Sequence, residues 1–190
     1  ATAFGQYREH LYRFDQLYRH FHTAADAVEP SGWAVLHELR TSIENVYSGW
    51  FVPQLGAAWA KVVEGDQGLL QRWAIPDVTP QQAFYEREVQ PLYSGGAKRV
   101  FVVISDALRY EVAQELVQFT NGKNRFKASL DAMLGVLPSY TALGMAALLP
   151  HRTLAYKESA NLDVLADGHL VATLEQRNEH LKSVGGMAIK

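Results

Sequence analysis

Two corners of the sequence place metal-binding or nucleophilic side chains directly after an apolar run. The first is "KRVFVVISDALRYE", residues 98–111. Its β-branched and aromatic run 100–104 predicts a central parallel strand covered on both faces, and Asp106 stands where that strand gives way to a helix. In open parallel sheets ligands bind at that end of the strands, and hard carboxylate oxygens suit divalent cations. Aspartate is also among the best helix N-caps, so both roles stay open at Asp106. Arg109 and Glu111, one turn on, either orient Asp106, face a phosphate, or form a solvated helix face. The second corner is "LGVLPSYTALGMAALLP", residues 134–150. An apolar stretch reaches Pro138, then come Ser139, Tyr140 and Thr141, then a wholly apolar helix. A hydroxyl there meets the positive end of the helix, where free N–H groups can hold an anion. Metal contact would lower the hydroxyl pKa and make it a nucleophile without a histidine base. Serine and threonine are equally ordinary N-caps, and that alternative stays open as well.

Other chemistry-bearing residues are less well placed. His20 and His22 share a helix but not a face, so they are poor joint ligands. His151 follows Pro150, near the second corner in sequence, and is either a neighbour of a site or a loop residue. Asp167-Gly168-His169 is best explained as a hairpin turn. No serine, histidine and acid set stands out as a triad. The turn after residue 104 carries no G-x-G-x-x-G, which argues against a dinucleotide site.

The elements that must position these corners fall into two parts, helical over 1–95 and α/β over 96–190. Phe4, Leu11, Tyr18 and Ala25 are spaced by seven, as are Tyr7, Phe14, Phe21 and Val28, which predicts one helix over 3–28. Pro30-Ser31-Gly32 ends it. Further helices are expected over 33–47, with Leu36, Leu39, Ile43 and Val46 inward, and over 53–64, with Leu55, Trp59 and Val62 inward. Gly65-Asp66-Gln67-Gly68 reads as a turn and 69–73 as a short helix. Thr79-Pro80-Gln81-Gln82 has the form of a capping box with proline at the first helical position, starting a helix to about 89. After Gly96 come the strand 100–104, a helix over 107–119 ended by Asn121-Gly122, and one or two strands within 125–137. A helix over 141–149, a hairpin over 162–173 and a capped helix from Thr173 to about residue 183 complete the pattern.

The totals set outer bounds. The chain has 190 residues, 48% hydrophobic and 20% charged, enough for one domain or two small ones with a buried core. A net charge of −2 does not suggest a general polyanion binder. There is no cysteine, which excludes disulfides, thiolate catalysis and cysteine-zinc sites and points to a reducing compartment, the cytoplasm. No apolar run approaches a membrane span and no signal peptide is visible. The start at Ala1 and the closing "GGMAIK", which reads as the opening of a new element, lead us to expect a piece of a longer protein.

Taken together, "FVVISDALRYE" and, about thirty residues later, "LPSYTALGMAALLP" closely resemble the PglZ domain of bacterial phage-exclusion systems, in particular of type 1 systems. That domain is part of the alkaline phosphatase superfamily. The resemblance covers roughly residues 98–190, with the preceding helices similar to the family's upstream helical region. It implies the first half of an alkaline-phosphatase-like α/β domain with a mainly parallel sheet. It also implies two divalent cations, zinc or a similar ion, with Asp106 as a metal ligand. Pro138-Ser139-Tyr140-Thr141 matches the Pro-Thr-x-Thr of the phosphodiesterase branch. This makes Thr141 the implied nucleophile and a second metal contact, with Ser139 as the fallback and Arg109 as a phosphate contact. The implied reaction is metal-dependent hydrolysis of phosphate mono- or diesters; a non-catalytic scaffold that keeps the fold is the alternative. Two departures stand out: Gly144 replaces an asparagine that helps hold the phosphate, and no Asp-His-Gly motif occurs before Lys190. The resemblance therefore implies that the remaining ligands lie beyond Lys190, and that this chain alone binds metal weakly and hydrolyses little. Other phage-exclusion proteins, a phosphorylated or nucleotide substrate and a second copy at an exposed sheet edge are the implied partners.

Overall fold

The computed structural model describes residues 2–28, 34–65, 69–158 and 162–190. The expected stop at Pro30-Ser31-Gly32 and the turn residues Asp66-Gln67-Gly68 lie outside the described residues. The chain divides into two compact units, one of Ala1–Pro76 with Ala107–Asp131, the other of Asp77–Asp106 with Ala132–Lys190. This grouping is a different division from the change of sequence character near residue 95. No helix among the described residues is long and apolar enough to cross a membrane.

The first unit is helical. Thr2–Gln6, Tyr7–Leu11 and Tyr12–Val28 follow without a break, the middle turn widened to i→i+5. Such a turn carries one extra residue and rotates the faces beyond it. Accordingly Tyr12 and Asp15, one place on from the expected Leu11 and Phe14, are buried, while Phe14 lies 40% exposed. The expected second and third helices are joined: Ala34–Val46 runs through a second widened turn, Tyr47–Phe51, into Val52–Glu64. Aromatic stacking ties this helix to the first, Phe14 on Phe51 at 4.5 Å and Tyr18 on Tyr47 at 3.8 Å between ring centroids. Leu69–Arg72 is the short helix expected near 69–73. The helix Tyr110–Asn121 completes the unit, its Tyr110 ring edge-on to Tyr12 at 5.6 Å.

The second unit is α/β. Thr79–Pro80 pairs in parallel with Met133–Leu134, and Leu154–Tyr156, Val164–Ala166 and His169–Leu170 form an antiparallel three-stranded sheet. The Asp-Gly turn forms as expected, with φ of 49° at Asp167 and 80° at Gly168, the left-handed pair a two-residue hairpin turn requires. Leu154–Tyr156 is an additional strand, held to the hairpin at its Asp167 end. The helix Leu174–Lys182 begins on the Thr173/Gln176 capping box, both bonds present. Gly185, at φ 70°, and Gly186 turn the chain out of it, Gly186 N–H bonding Leu181 O at 2.9 Å. The core of this unit is Leu143, Ala146, Leu149, Val164, Ala166 and Val171. The helix Thr141–Ala147 thus lies against the hairpin, with alanines at its closest approaches.

Three expectations are corrected. Residues 100–104 form no strand: Phe101 is 82% and Val103 89% exposed, and none of the described strands pairs with the run. A central parallel strand needs a neighbour on each edge and a layer on each face, and the described residues supply neither. The helix expected from 107 begins at Tyr110, after Ala107 at φ 57° and with Arg109 at its N-cap, so Asp106 is not the cap. Finally, Thr79 caps nothing; Thr79–Pro80 is the bridge strand, and Gln81–Ala83, Tyr85–Val89 and Gln90–Ser94 form an irregular helical stretch reaching past residue 89.

Candidate functional site

Asp106 and Thr141 come together. Thr141 Oγ1 donates to Asp106 Oδ2 at 3.3 Å, across 35 positions of sequence, and both side chains are exposed. Thr141 opens the helix Thr141–Ala147, while Tyr140 at its N-cap is extended (φ −140°, ψ 156°) and makes no side-chain cap. The two cap alternatives raised by the sequence are therefore both set aside, since neither Asp106 nor Thr141 is an N-cap. The helix is positioned by Leu143 and Ala146 in the core, and Tyr140 donates to Leu162 O at 2.9 Å on the approach. Ser139 is exposed two residues before Thr141.

A carboxylate and a hydroxyl this close offer the hard oxygens that divalent cations take. They fit as part of a donor set. Among the described residues no group of three or more His, Cys, Asp or Glu side chains gathers to hold a cation.

His151, His180 and Asp167 have structural partners. His151 Nδ1 lies 2.7 Å from Leu149 O, and His180 Nε2 2.5 Å from Pro150 O. Asp167 Oδ1 accepts from Arg152 N at 2.9 Å, Thr153 N at 2.8 Å and Thr153 Oγ1 at 3.2 Å. The backbone bonds from Thr153 and Arg152 hold the Asp167 carboxyl below the usual range.

In the helical unit Arg109 is engaged by its own surroundings. Its guanidinium lies 3.2 Å from Glu111 Oε1 and 3.6 Å from Asp15 Oδ1, and donates to Tyr47 Oη at 3.4 Å. Asp15 accepts from Tyr47 Oη at 2.6 Å and from Tyr7 Oη. Burial, then the Asp15 hydrogen bond, pushes both tyrosine hydroxyls up. Glu111 is fully buried, neither oxygen hydrogen-bonded, between Arg109 and Arg19, whose Nε is 3.6 Å away. Arg19 also grips Glu115 at 2.6 Å, which holds that carboxyl low.

Sequence reasoning missed Gln81 and this buried charge group. Gln81 was hidden inside an apparent capping box. Asp15 and Glu111 are charged letters on helices, which read as solvated faces; only their placement beside expected inward positions could have signalled otherwise.

Comparison with known proteins agrees with the family resemblance. Residues 84–190 match the family model described as the BREX system PglZ alkaline phosphatase-like domain. The "Alkaline phosphatase-like protein BrxZ" of Escherichia coli O9:H4 (strain HS) is 47% identical over 191 residues, covering 100% of the chain and 22% of that protein. The "Alkaline phosphatase-like protein PglZ" of Bacillus cereus (strain H3081.97) is 37% identical over 174 residues, covering 92% of the chain and 20% of that protein. The chain thus spans about a fifth of the length of these curated relatives. No solved structure matches it.

Proposed function

The chain belongs to the PglZ family of alkaline phosphatase-like domains of phage-exclusion systems, and on that premise we propose that the protein containing it hydrolyses phosphate mono- or diesters through Thr141. The observation that carries this reading is the 3.3 Å contact between Thr141 Oγ1 and Asp106 Oδ2. Asp106 holds the hydroxyl by its hydrogen, leaving an oxygen lone pair directed away from the bond. Thr141 Oγ1 forms the bond to phosphorus as the ester P–O bond breaks, its proton passing by way of Asp106 to the departing alkoxide, which leaves as the alcohol. Water then attacks phosphorus, releasing the phosphate product and restoring the Thr141 hydroxyl. Two divalent cations, zinc or similar, would supply charge neutralisation and a lowered hydroxyl pKa when bound. Asp106 and Thr141 would hold them, together with ligands assigned to residues beyond Lys190. Ser139 is the fallback nucleophile. A phosphate role for Arg109 has to compete with the two carboxylates that already hold it. Residues 96–190 are in this reading the front part of the domain and 1–95 a helical segment before it. Other phage-exclusion proteins, and a second copy at an exposed sheet edge, are its proposed partners, and the cytoplasm its compartment.

A second reading, a scaffold that keeps the fold without turnover, is favoured by Gly144. That position has no side chain to hold a phosphate, and its carbonyl is taken by Gln81. Hydrolysis of bis-p-nitrophenyl phosphate by the full-length protein separates the two, with and without added divalent metal. Thr141→Ala and Asp106→Ala should each lower the metal-dependent rate about a thousandfold, with Ser139→Ala near wild type. If metal-loaded wild type is no faster than Thr141→Ala, the scaffold reading stands instead.

A further inference from the structure

The corner that delivers Thr141 is held by one side chain from another element. The bridge pairing of Thr79 with Met133 and Pro80 with Leu134 brings Gln81 beside the segment entering the corner. Gln81 Oε1 accepts from Val136 N at 3.1 Å, and Gln81 Nε2 donates to Gly144 O at 3.1 Å. Val136 precedes the corner and Gly144 lies one turn into the helix beyond it, so a single half-buried carboxamide ties the incoming and outgoing arms together. A Cβ at Gly144 would stand 3.5 Å from Nε2, and one at Gly135 3.7 Å from Oε1. The amide therefore lies against backbone on both sides. Only an acceptor and a donor on the same planar group satisfy both arms: glutamate loses the donor, methionine loses both, and asparagine is one methylene shorter.

We propose that Gln81 is a positioning residue for the nucleophile, fixing where the hydroxyl of Thr141 stands relative to the Asp106 carboxylate. This rests on the assignment of Thr141 above. A nucleophile displaced by about 1 Å loses up to about a hundredfold in rate while substrate binding is left alone. The change therefore falls on kcat rather than KM.

The test uses the full-length protein with Gln81→Met, which keeps the volume and removes both bonds, and Gln81→Glu, which keeps the acceptor for Val136. Two quantities are read: kinetics on bis-p-nitrophenyl phosphate, and amide hydrogen exchange over residues 136–144. Gln81→Met should lower kcat about ten- to a hundredfold with KM within about twofold, and speed Val136 exchange about tenfold. Gln81→Glu should keep Val136 protected and still lower kcat. Wild-type kcat in Gln81→Met overturns the positioning role, whether or not exchange rises, and unchanged Val136 exchange overturns the clamp itself. Should Gln81→Met fail to fold, Gln81→Glu decides: wild-type kcat there overturns the role. If wild type shows no Thr141-dependent hydrolysis, the functional reading has failed, and exchange alone decides whether Gln81 holds the corner.

Discussion

Replacing Asp167 with alanine should loosen the floor on which the Thr141 helix rests. The Asp167 carboxylate accepts two backbone N–H bonds, from Arg152 and Thr153, and so ties the strand Leu154–Tyr156 to the hairpin. Each such bond at an exposed site contributes about 1 kcal/mol. Alanine also has to occupy the φ of 49° that aspartate tolerates, costing about 1 kcal/mol more. The sum, about 3 kcal/mol, corresponds to a rise of about a hundredfold or somewhat more in exchange at the Arg152 and Thr153 amides. Asp167→Asn keeps an acceptor and tolerates the left-handed backbone, losing only the charge. Its cost should be about 1 kcal/mol, or about fivefold. The pH dependence has a definite sign. The folded carboxyl is held below its ordinary value by its N–H bonds, so the ionised group stabilises the fold above about pH 4. That advantage is lost as pH falls through the folded-state pKa, where wild type and Asp167→Asn should converge. Site-resolved hydrogen exchange across pH measures all three. Equal exchange in wild type and Asp167→Ala, or equal losses in the two variants, would refute the reasoning.

Three further outcomes are expected. Glu111→Ala should destabilise the helical unit by about 3 kcal/mol, because it empties a fully buried site between Arg109 and Arg19. Glu111→Met should stay within about 1 kcal/mol of wild type, since Arg19 keeps Glu115 and Arg109 keeps Asp15; urea unfolding followed by tryptophan fluorescence compares them. Thr173→Ala removes one half of a complete capping box, and should cost about 1 kcal/mol, read as faster exchange at the Gln176 amide.

How much was legible in the sequence depended on whether the deciding interaction was local. The Asp167-Gly168 turn and the Thr173 box form as read because φ preference and a three-residue hydrogen bond need no distant partner. The pairing of Asp106 with Thr141 was legible only through the motif resemblance. Neither corner alone distinguished a cap from a site residue, and both cap readings fail. The run 100–104 misled because apolar letters report what a strand would like to meet, not what is there to meet it. The Thr79 box misled because Thr79 and Pro80 pair with Met133 and Leu134 instead of opening a helix. The widened turns at Tyr7–Leu11 and Tyr47–Phe51 leave no periodic signature of their own, yet the first moved Asp15 to an inward place that a heptad count gave to Phe14.

The exposed run 100–104 also bears on how variants at the site must be read. Solvent-facing, β-prone and aromatic, it is the kind of segment that self-associates when a chain is concentrated. Its gatekeepers are the charges at its ends, Lys98 and Arg99 before it and Asp106 after it. Asp106→Ala therefore removes a gatekeeper together with the proposed site carboxylate, and should lower colloidal solubility as well as any Thr141-dependent rate, whereas Thr141→Ala touches only the proposed nucleophile. Asp106→Glu keeps the charge at the end of the run while displacing the carboxylate from Thr141, and so separates the two effects.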